Sequence, residues 1–306
     1  MGVDVHILIK NDFYDLDNYE KSMQYVKQCI DKVKKALCIN EEYDHFELYG
    51  YYDEDDKWAD IEFYIPLLDV WLKLRKGYWC VWTAYHFCHI TNRYNGRLYL
   101  ADIAFDIARI LGQNEAWYCD EFVEDEFEQK SLDTLLTKVH KRYGITEYPY
   151  SELMQYEDDA FPDPAQFYHH TFTEISEEFK ELCTKCGEYI PTCITRIGNG
   201  YVRVAKNGKI NLLDNENMVP IFNNDMDDIQ RLNARDFICK LDGKIALFSG
   251  EAKQLTDFIC GIFEVEKMHN TPFDNRDNFF YLNHDVEVKV MATYNDDGSA
   301  NYGQTS

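Results

Sequence analysis

Two groups of residues near the start of the chain have types and spacing suited to chemistry. In Val3-Asp4-Val5-His6-Ile7-Leu8-Ile9, the odd positions share one face and Asp4, His6 and Leu8 share the other. As a strand, this places a carboxylate beside an imidazole on one surface. Such a pair serves as metal ligands or as a general acid and base. It also suits a polar face in which Asp4 hydrogen-bonds His6 or a nearby loop. The second group is His86 and His89, in the aromatic run Tyr78-Trp79-Cys80-Val81-Trp82-Thr83-Ala84-Tyr85-His86-Phe87-Cys88-His89-Ile90. On a helix the two imidazoles would share a face; on a strand they would oppose. They read either as a metal or catalytic pair joined to Asp4 and His6, or as satisfied histidines in an aromatic core.

A third group lies further on. Cys183-Thr184-Lys185-Cys186 is a C-x-x-C, followed by Cys193 and preceded by His169 and His170. Three thiolates, Cys183, Cys186 and Cys193, with the His169 imidazole, would make a tetrahedral zinc set. The C-x-x-C-G half resembles a zinc knuckle. Unliganded thiols are the alternative. A thioredoxin-like redox pair would open a helix after a strand, whereas this one follows a helix. Zinc is the one cofactor these residues suggest. No glycine-rich phosphate loop, G-x-S-x-G or H-E-x-x-H occurs.

The 306 residues fit two domains at about 150 residues each. With 31 Lys and Arg against 55 Asp and Glu, the net charge is −24. That charge repels a phosphate backbone, so no nucleic-acid binding is expected and a basic protein is the favoured partner. The ten cysteines sit mostly in apolar runs, and Met1-Gly2-Val3-Asp4 enters a strand with no signal peptide. Both point to a reducing cytoplasm. No run approaches about 18 uncharged apolar residues, so no membrane span is expected.

The elements that must hold these groups can be read from periodicity. Asp17 and Glu20 have capping-box spacing. Met23, Val26, Ile30, Val33 and Leu37 then mark an amphipathic helix. Strands are predicted at 46–48 and 60–65, with Asp53-Glu54-Asp55-Asp56 as a solvated hairpin tip. Pro66 opens a predicted short helix through Leu67, Val70, Trp71 and Leu74, ending at Gly77. A helix from about 99 to 111 stops at Gly112. A short strand follows at 116–119, then an acidic run from Asp120 to Glu128, then a helix capped by Ser131 and ended by Gly144. Residues 146–170, with Pro149, Pro162 and Pro164, read as a connecting segment. A helix then leads to Cys183.

Beyond Pro191 the texture becomes short β segments joined by Asn-Gly and Asp-Gly turns, a strong hairpin signal. Placing Gly208-Lys209-Ile210 over Gly243-Lys244-Ile245 gives an internal repeat of 35 residues. Val204, Lys206, Gly208, Lys209, Leu213 and Asp214, then Val219-Pro220 and Asp227-Asp228-Ile229, carry the first unit. Gly243, Lys244, Leu247 and Gly250 carry the second. This stretch resembles the WG-repeat family, although Ile210-Asn211 and Ile245-Ala246 stand where that family has Trp-Gly. The resemblance implies a β-repeat interaction module without catalytic residues. The opening Met-Gly-Val-Asp-Val-His also resembles bacterial and phage proteins of unknown function that begin Met-Gly-Cys-Asp-Ile-His.

The expected fold is therefore α+β. A mixed α/β domain spans 1–145, a connecting segment with one helix and the C-x-x-C spans 146–192, and a β-hairpin repeat domain spans 193–294. Its units cover about 201–235 and 236–270, with a degenerate third at 279–294; a disordered tail follows at 295–306. The function expected is a cytoplasmic protein-interaction scaffold using the repeat surface. The alternative is a metal-dependent enzyme or metal-binding protein with its site in the first domain.

Overall fold

The computed structural model describes residues 5–39, 46–53, 58–68, 70–83, 100–120, 130–144, 146–147, 168–172, 175–194, 201–214, 216–231, 237–249, 251–258, 262–267, 277–282, 287–294 and 300–305. It is an α+β protein. Its largest element is an eight-stranded sheet built from β1 (Val5–Lys10), β2 (Leu48–Asp53), β3 (Trp58–Ile65), β4 (Val70–Arg75), β5 (Tyr78–Thr83), β6 (Glu115–Asp120), β7 (Thr146–Glu147) and β8 (Tyr168–Thr171). The order is β2-β3-β4-β5-β1-β6-β8-β7, antiparallel throughout except for the β7–β8 pair.

One face is closed. Helices α1 (Tyr19–Leu37) and α2 (Leu100–Leu111) pack there on Ile7, Ile9, Ile61, Phe63, Leu72, Trp79 and Val81, all fully buried. Val26, Ile30, Val33 and Leu37 supply the helical stripe read from the sequence. The cap differs by one residue: Asn18 Oδ1, rather than Asp17, accepts from the Lys21 amide at 3.1 Å. Asn and Asp cap equally well, so spacing alone does not choose between adjacent candidates. On the other face, α3 (Leu132–Tyr143) covers only the middle strands, packing Leu132, Leu135 and Val139 on Leu8, Tyr78, Cys80, Trp117 and Cys119.

Three sequence expectations need correction. The short helix after Pro66 is a turn followed by strand β4, where Val70, Leu72 and Leu74 are buried and Trp71 and Lys73 face the other way. A period of two placed on a few residues mimics a helical spacing when only some positions are counted. The segment 146–170 supplies strands β7 and β8 to the main sheet. The tail after 295 supplies β18 (Ala300–Thr305), which edges a four-stranded sheet with β15 (Ile262–Lys267), β16 (Asp277–Leu282) and β17 (Glu287–Tyr294). Backbone pairing holds strands at a sheet edge, such as β7 and β18, and next to one, such as β8, so polar sequences such as these can join a sheet.

The repeat has a structural counterpart. Strands β9 (Ile190–Pro191), β10 (Tyr201–Lys206) and β11 (Lys209–Asp214) form one three-stranded sheet; β12 (Asp228–Arg231), β13 (Phe237–Leu241) and β14 (Lys244–Phe248) form another. Each has the same two-residue turn, Asn207-Gly208 with φ of 52° and 77°, and Asp242-Gly243 with 51° and 72°. Two successive positive φ values define the type I′ hairpin. The chain then folds back alike in both units. Ile221 N donates to Leu212 O at 2.9 Å, and Leu255 N to Leu247 O at 2.8 Å. The second return is one residue shorter.

The core does not stop at the predicted domain boundary. Ala205, Leu212, Ile229, Phe237, Cys239 and Phe248 belong to the same apolar cluster as the closed face of the sheet. Arg203, fully buried on β10, clamps this seam. It donates to Leu37 O, to Cys38 O at 3.4 Å, to Thr192 Oγ1 at 3.1 Å and to Ile229 O at 2.9 Å. Its ion pair is with buried Asp228 on β12 of the second three-stranded sheet, at 3.0 Å. A cation at the last carbonyls of α1 also meets the negative end of the helix dipole. From α2, the Asp106 carboxylate accepts from the Ile194 amide at 3.0 Å, and Arg109 donates to Thr192 O at 3.1 Å. Among the described residues, no helix is long and apolar enough to cross a membrane.

Candidate binding face

The half of the sheet that α3 leaves open is built from strands β2 to β5. Once WADIEFYI, VWLKLR and YWCVWT are strands, strict alternation sends Asp60, Glu62, Tyr64, Trp71, Lys73 and Trp82 to this face and their neighbours to the core. The register then lays the side chains in rows. Tyr64 pairs Trp71, and Trp71 pairs Trp82. Tyr49 pairs Glu62, which pairs Lys73, which pairs Cys80. Tyr51 pairs Asp60.

The rings contact one another. Trp71 has Tyr64 at 5.1 Å, Tyr49 at 5.4 Å and Trp82 at 5.7 Å between centroids, the two indoles lying 12° from parallel. Tyr49 and Tyr51 are 55% and 62% exposed. Large aromatics at that exposure, beside further half-buried rings, form a patch of the kind that marks interaction sites. The charges are interleaved with the rings. Asp60 bridges Lys73 at 3.0 Å and Arg75 at 3.2 Å. Glu62 accepts a hydrogen bond from the Trp82 side chain. Burial raises its carboxyl pKa all the same, against the opposing pull of Lys73, Arg75 and that hydrogen bond.

His6 lies on this side of the sheet, one strand beyond β5. Its Nδ1 is 3.6 Å from Cys80 Sγ, and it pairs directly with Cys119 across the ladder. Both thiols are buried beneath α3. Its predicted companions Asp4, His86 and His89 lie outside the described residues. The other predicted set is dispersed. Cys186 packs with Val202, Val204 and Leu213 under the first repeat, and Cys193 lies in the main core. Cys183 sits in the last turns of α4 (Ile175–Lys185), half-buried. Burial raises the thiol of Cys186 to about 11 and that of Cys193 to about 12.

His169 faces a different neighbourhood. Its Nε2 is 3.1 Å from Glu115, whose other oxygen takes Lys10 Nζ at 2.8 Å, and its ring stacks on Trp117 at 4.8 Å. Among the described residues, no three His, Cys, Asp or Glu side chains converge as a metal site. Next to it, His170 is fully buried in the closed face, with Nδ1 3.1 Å from the Tyr118 hydroxyl and Nε2 without a hydrogen-bond partner. Burial lowers its pKa to about 3.

No family model, curated protein or solved structure matches this chain. The geometry of the open face therefore carries the functional reading.

The aromatic row was in the sequence but not legible as a site. Helical spacing takes in Trp71, Trp82 falls in an aromatic run that fits helix or strand, and Tyr64 lies in a strand whose outer face one segment alone does not define. The missing signal was the matching alternation of three successive segments, which becomes visible only when all three are read as adjacent strands.

Proposed function

We propose that this protein is an interaction module that binds a protein partner through the open aromatic half of its main sheet. One observation carries the reading: Tyr49, Tyr64 and Trp82 surround Trp71 on a sheet face that no described helix covers. Rings of this type, rigid and amphipathic, dominate binding energy where they cluster. The WG-like repeats take the supporting role. Their apolar faces and the Arg203 ion pair are turned into the core, which favours a structural cap over a separate binding array.

The test is site-specific photo-cross-linking in the native cell, with p-benzoylphenylalanine placed at Tyr51 on the open face or at Val219 on the repeats. Both positions are exposed. The expected result is a discrete adduct from position 51 and none from 219. Adducts from 219 alone would return the function to the repeat surface.

A second reading is favoured by the 3.6 Å contact of His6 with Cys80. A thiol beside an imidazole is the arrangement of a nucleophile and its base. Cys80 is 1% exposed, so this reading requires α3 to open. Prompt iodoacetamide labelling of Cys80 in the native protein would support it, and labelling only after unfolding would remove it.

A further inference from the structure

We infer that the occupant of the open face is an arginine-bearing segment of a basic protein, with a guanidinium laid against Trp71 and paired to Glu62. This rests on the reading of that face as the binding surface. Three observations lead to it.

The first is the pairing of ring and carboxylate. Arginine is the side chain that can stack its plane on an aromatic ring while presenting a fork of donors to a carboxylate. Trp71 and Glu62 lie on neighbouring strands as a diagonal pair, two residues apart in register on the same face, with Trp82 contacting both. The molecule already contains this arrangement internally. The Arg109 guanidinium sits 4.5 Å from the Phe179 ring centroid while Nη2 reaches Asp106 at 3.2 Å.

The second is the state of the two carboxylates. Asp60 is held by two cations, at 3.0 and 3.2 Å. Glu62 is half-buried, and its surroundings leave the charged form disfavoured. Lys73, Arg75 and the Trp82 hydrogen bond offset the burial of Glu62 only in part, and an incoming guanidinium would add charge and donors there, so the gain is concentrated at this residue.

The third is the long-range field. A net charge of −24 raises the local concentration of cationic partners and speeds their encounter. That field acts on lysine and arginine alike. The ring and carboxylate select arginine.

The experiment uses the full chain and three synthetic peptides of alternating Gly with Arg, Lys or citrulline, the last a neutral isostere of arginine. Binding is read by tryptophan fluorescence and by titration calorimetry. The arginine peptide is expected to quench tryptophan and to bind at least about tenfold more tightly than the citrulline peptide, the scale of a desolvated cation–π contact with its ion pair. Glu62→Gln should weaken it about fivefold or more, whereas Glu188→Gln, an equal charge change at an exposed site on the repeat side, should shift it less than about twofold. Trp71→Ala should abolish the quenching. Tyr49→Ser, at an exposed position, repeats the test with less demand on folding.

Equal affinity for arginine and citrulline peptides, or no arginine binding, overturns the inference while leaving the face itself to the cross-linking test. A neutral oligosaccharide that quenches the same tryptophan better than the arginine peptide overturns it in favour of a glycan. Arginine binding that is lost with salt but unchanged by Trp71→Ala, Tyr49→Ser and Glu62→Gln reports the general acidic surface and overturns the inference, again leaving the face to the cross-linking test.

Discussion

Arg203 and Glu62 are both charged residues on β-strands, and the molecule treats them in opposite ways. Arg203 is fully buried, and its donors meet three backbone carbonyls, a hydroxyl and the Asp228 carboxylate. Glu62 is half-buried beside a patch of rings, and its partners do not offset its loss of water. The first region closes on itself and joins helix α1 to both three-stranded sheets. The second leaves binding capacity turned outward. Polar satisfaction, more than composition, distinguishes the part that holds the fold from the part proposed to meet a partner.

The largest way to break that contrast is at the seam. Arg203→Met leaves Asp228 buried without its cation and should cost about 3–5 kcal/mol in urea unfolding. Adding Asp228→Leu should recover more than half of that loss, since the uncompensated charge is then gone. A cost below about 1 kcal/mol for the single variant would show that the clamp is dispensable.

The next effect is acid sensitivity of the closed face. His170 has a folded pKa lowered to about 3, so below the unfolded value of about 6.5 the unfolded chain binds the proton that the folded chain refuses. Its contribution is intact above that pH and is lost on acidification, at about 1.4 kcal/mol per pH unit between about 6.5 and about 3. Comparing the pH dependence of unfolding for the wild type and His170→Gln checks this: the variant should lose that part of the slope. An unchanged slope would mean that the imidazole is already solvated.

Smaller effects sharpen the contrast. Gly208→Ala places a Cβ at φ 77° in the type I′ turn and should cost about 1 kcal/mol, with Gly243→Ala costing the same if the two hairpins are equivalent. Thermal melts of the two variants test the repeat directly. Glu62→Gln is expected to go the other way. Its carboxyl pKa is raised by burial, so losing the charge should leave stability unchanged or higher by a few tenths of a kcal/mol at neutral pH. A clear loss on calorimetry would make Glu62 a structural residue.

The strong local signals were legible in the sequence. The apolar stripe of α1, the Ser131 cap, and the turns at Asn207-Gly208 and Asp242-Gly243 each follow from residue chemistry acting within a few positions. The open face was not, because it depends on long-range pairing. Trp71 and Trp82 are eleven residues apart, and only the β4–β5 register makes them neighbours. The same holds for Arg203, whose basic side chain within an ordinary strand gives no hint that its partners are Leu37, Cys38 and Asp228. The cysteine set was visible as a motif, yet the fold takes Cys186 of the C-x-x-C and the later Cys193 into separate clusters. Spacing along a chain does not report which side of an element each thiol faces.

The most direct measurement makes one variant answer for both regions. The double substitution Tyr49→Ala with Trp71→Ala should unfold in urea within about 2 kcal/mol of the wild type, because both side chains lie outside the closed core. The same preparation should lose the partner recovered by cross-linking at position 51. Retained binding with intact stability would contradict the open face as the working surface, and global unfolding would place these rings among the residues that hold the fold.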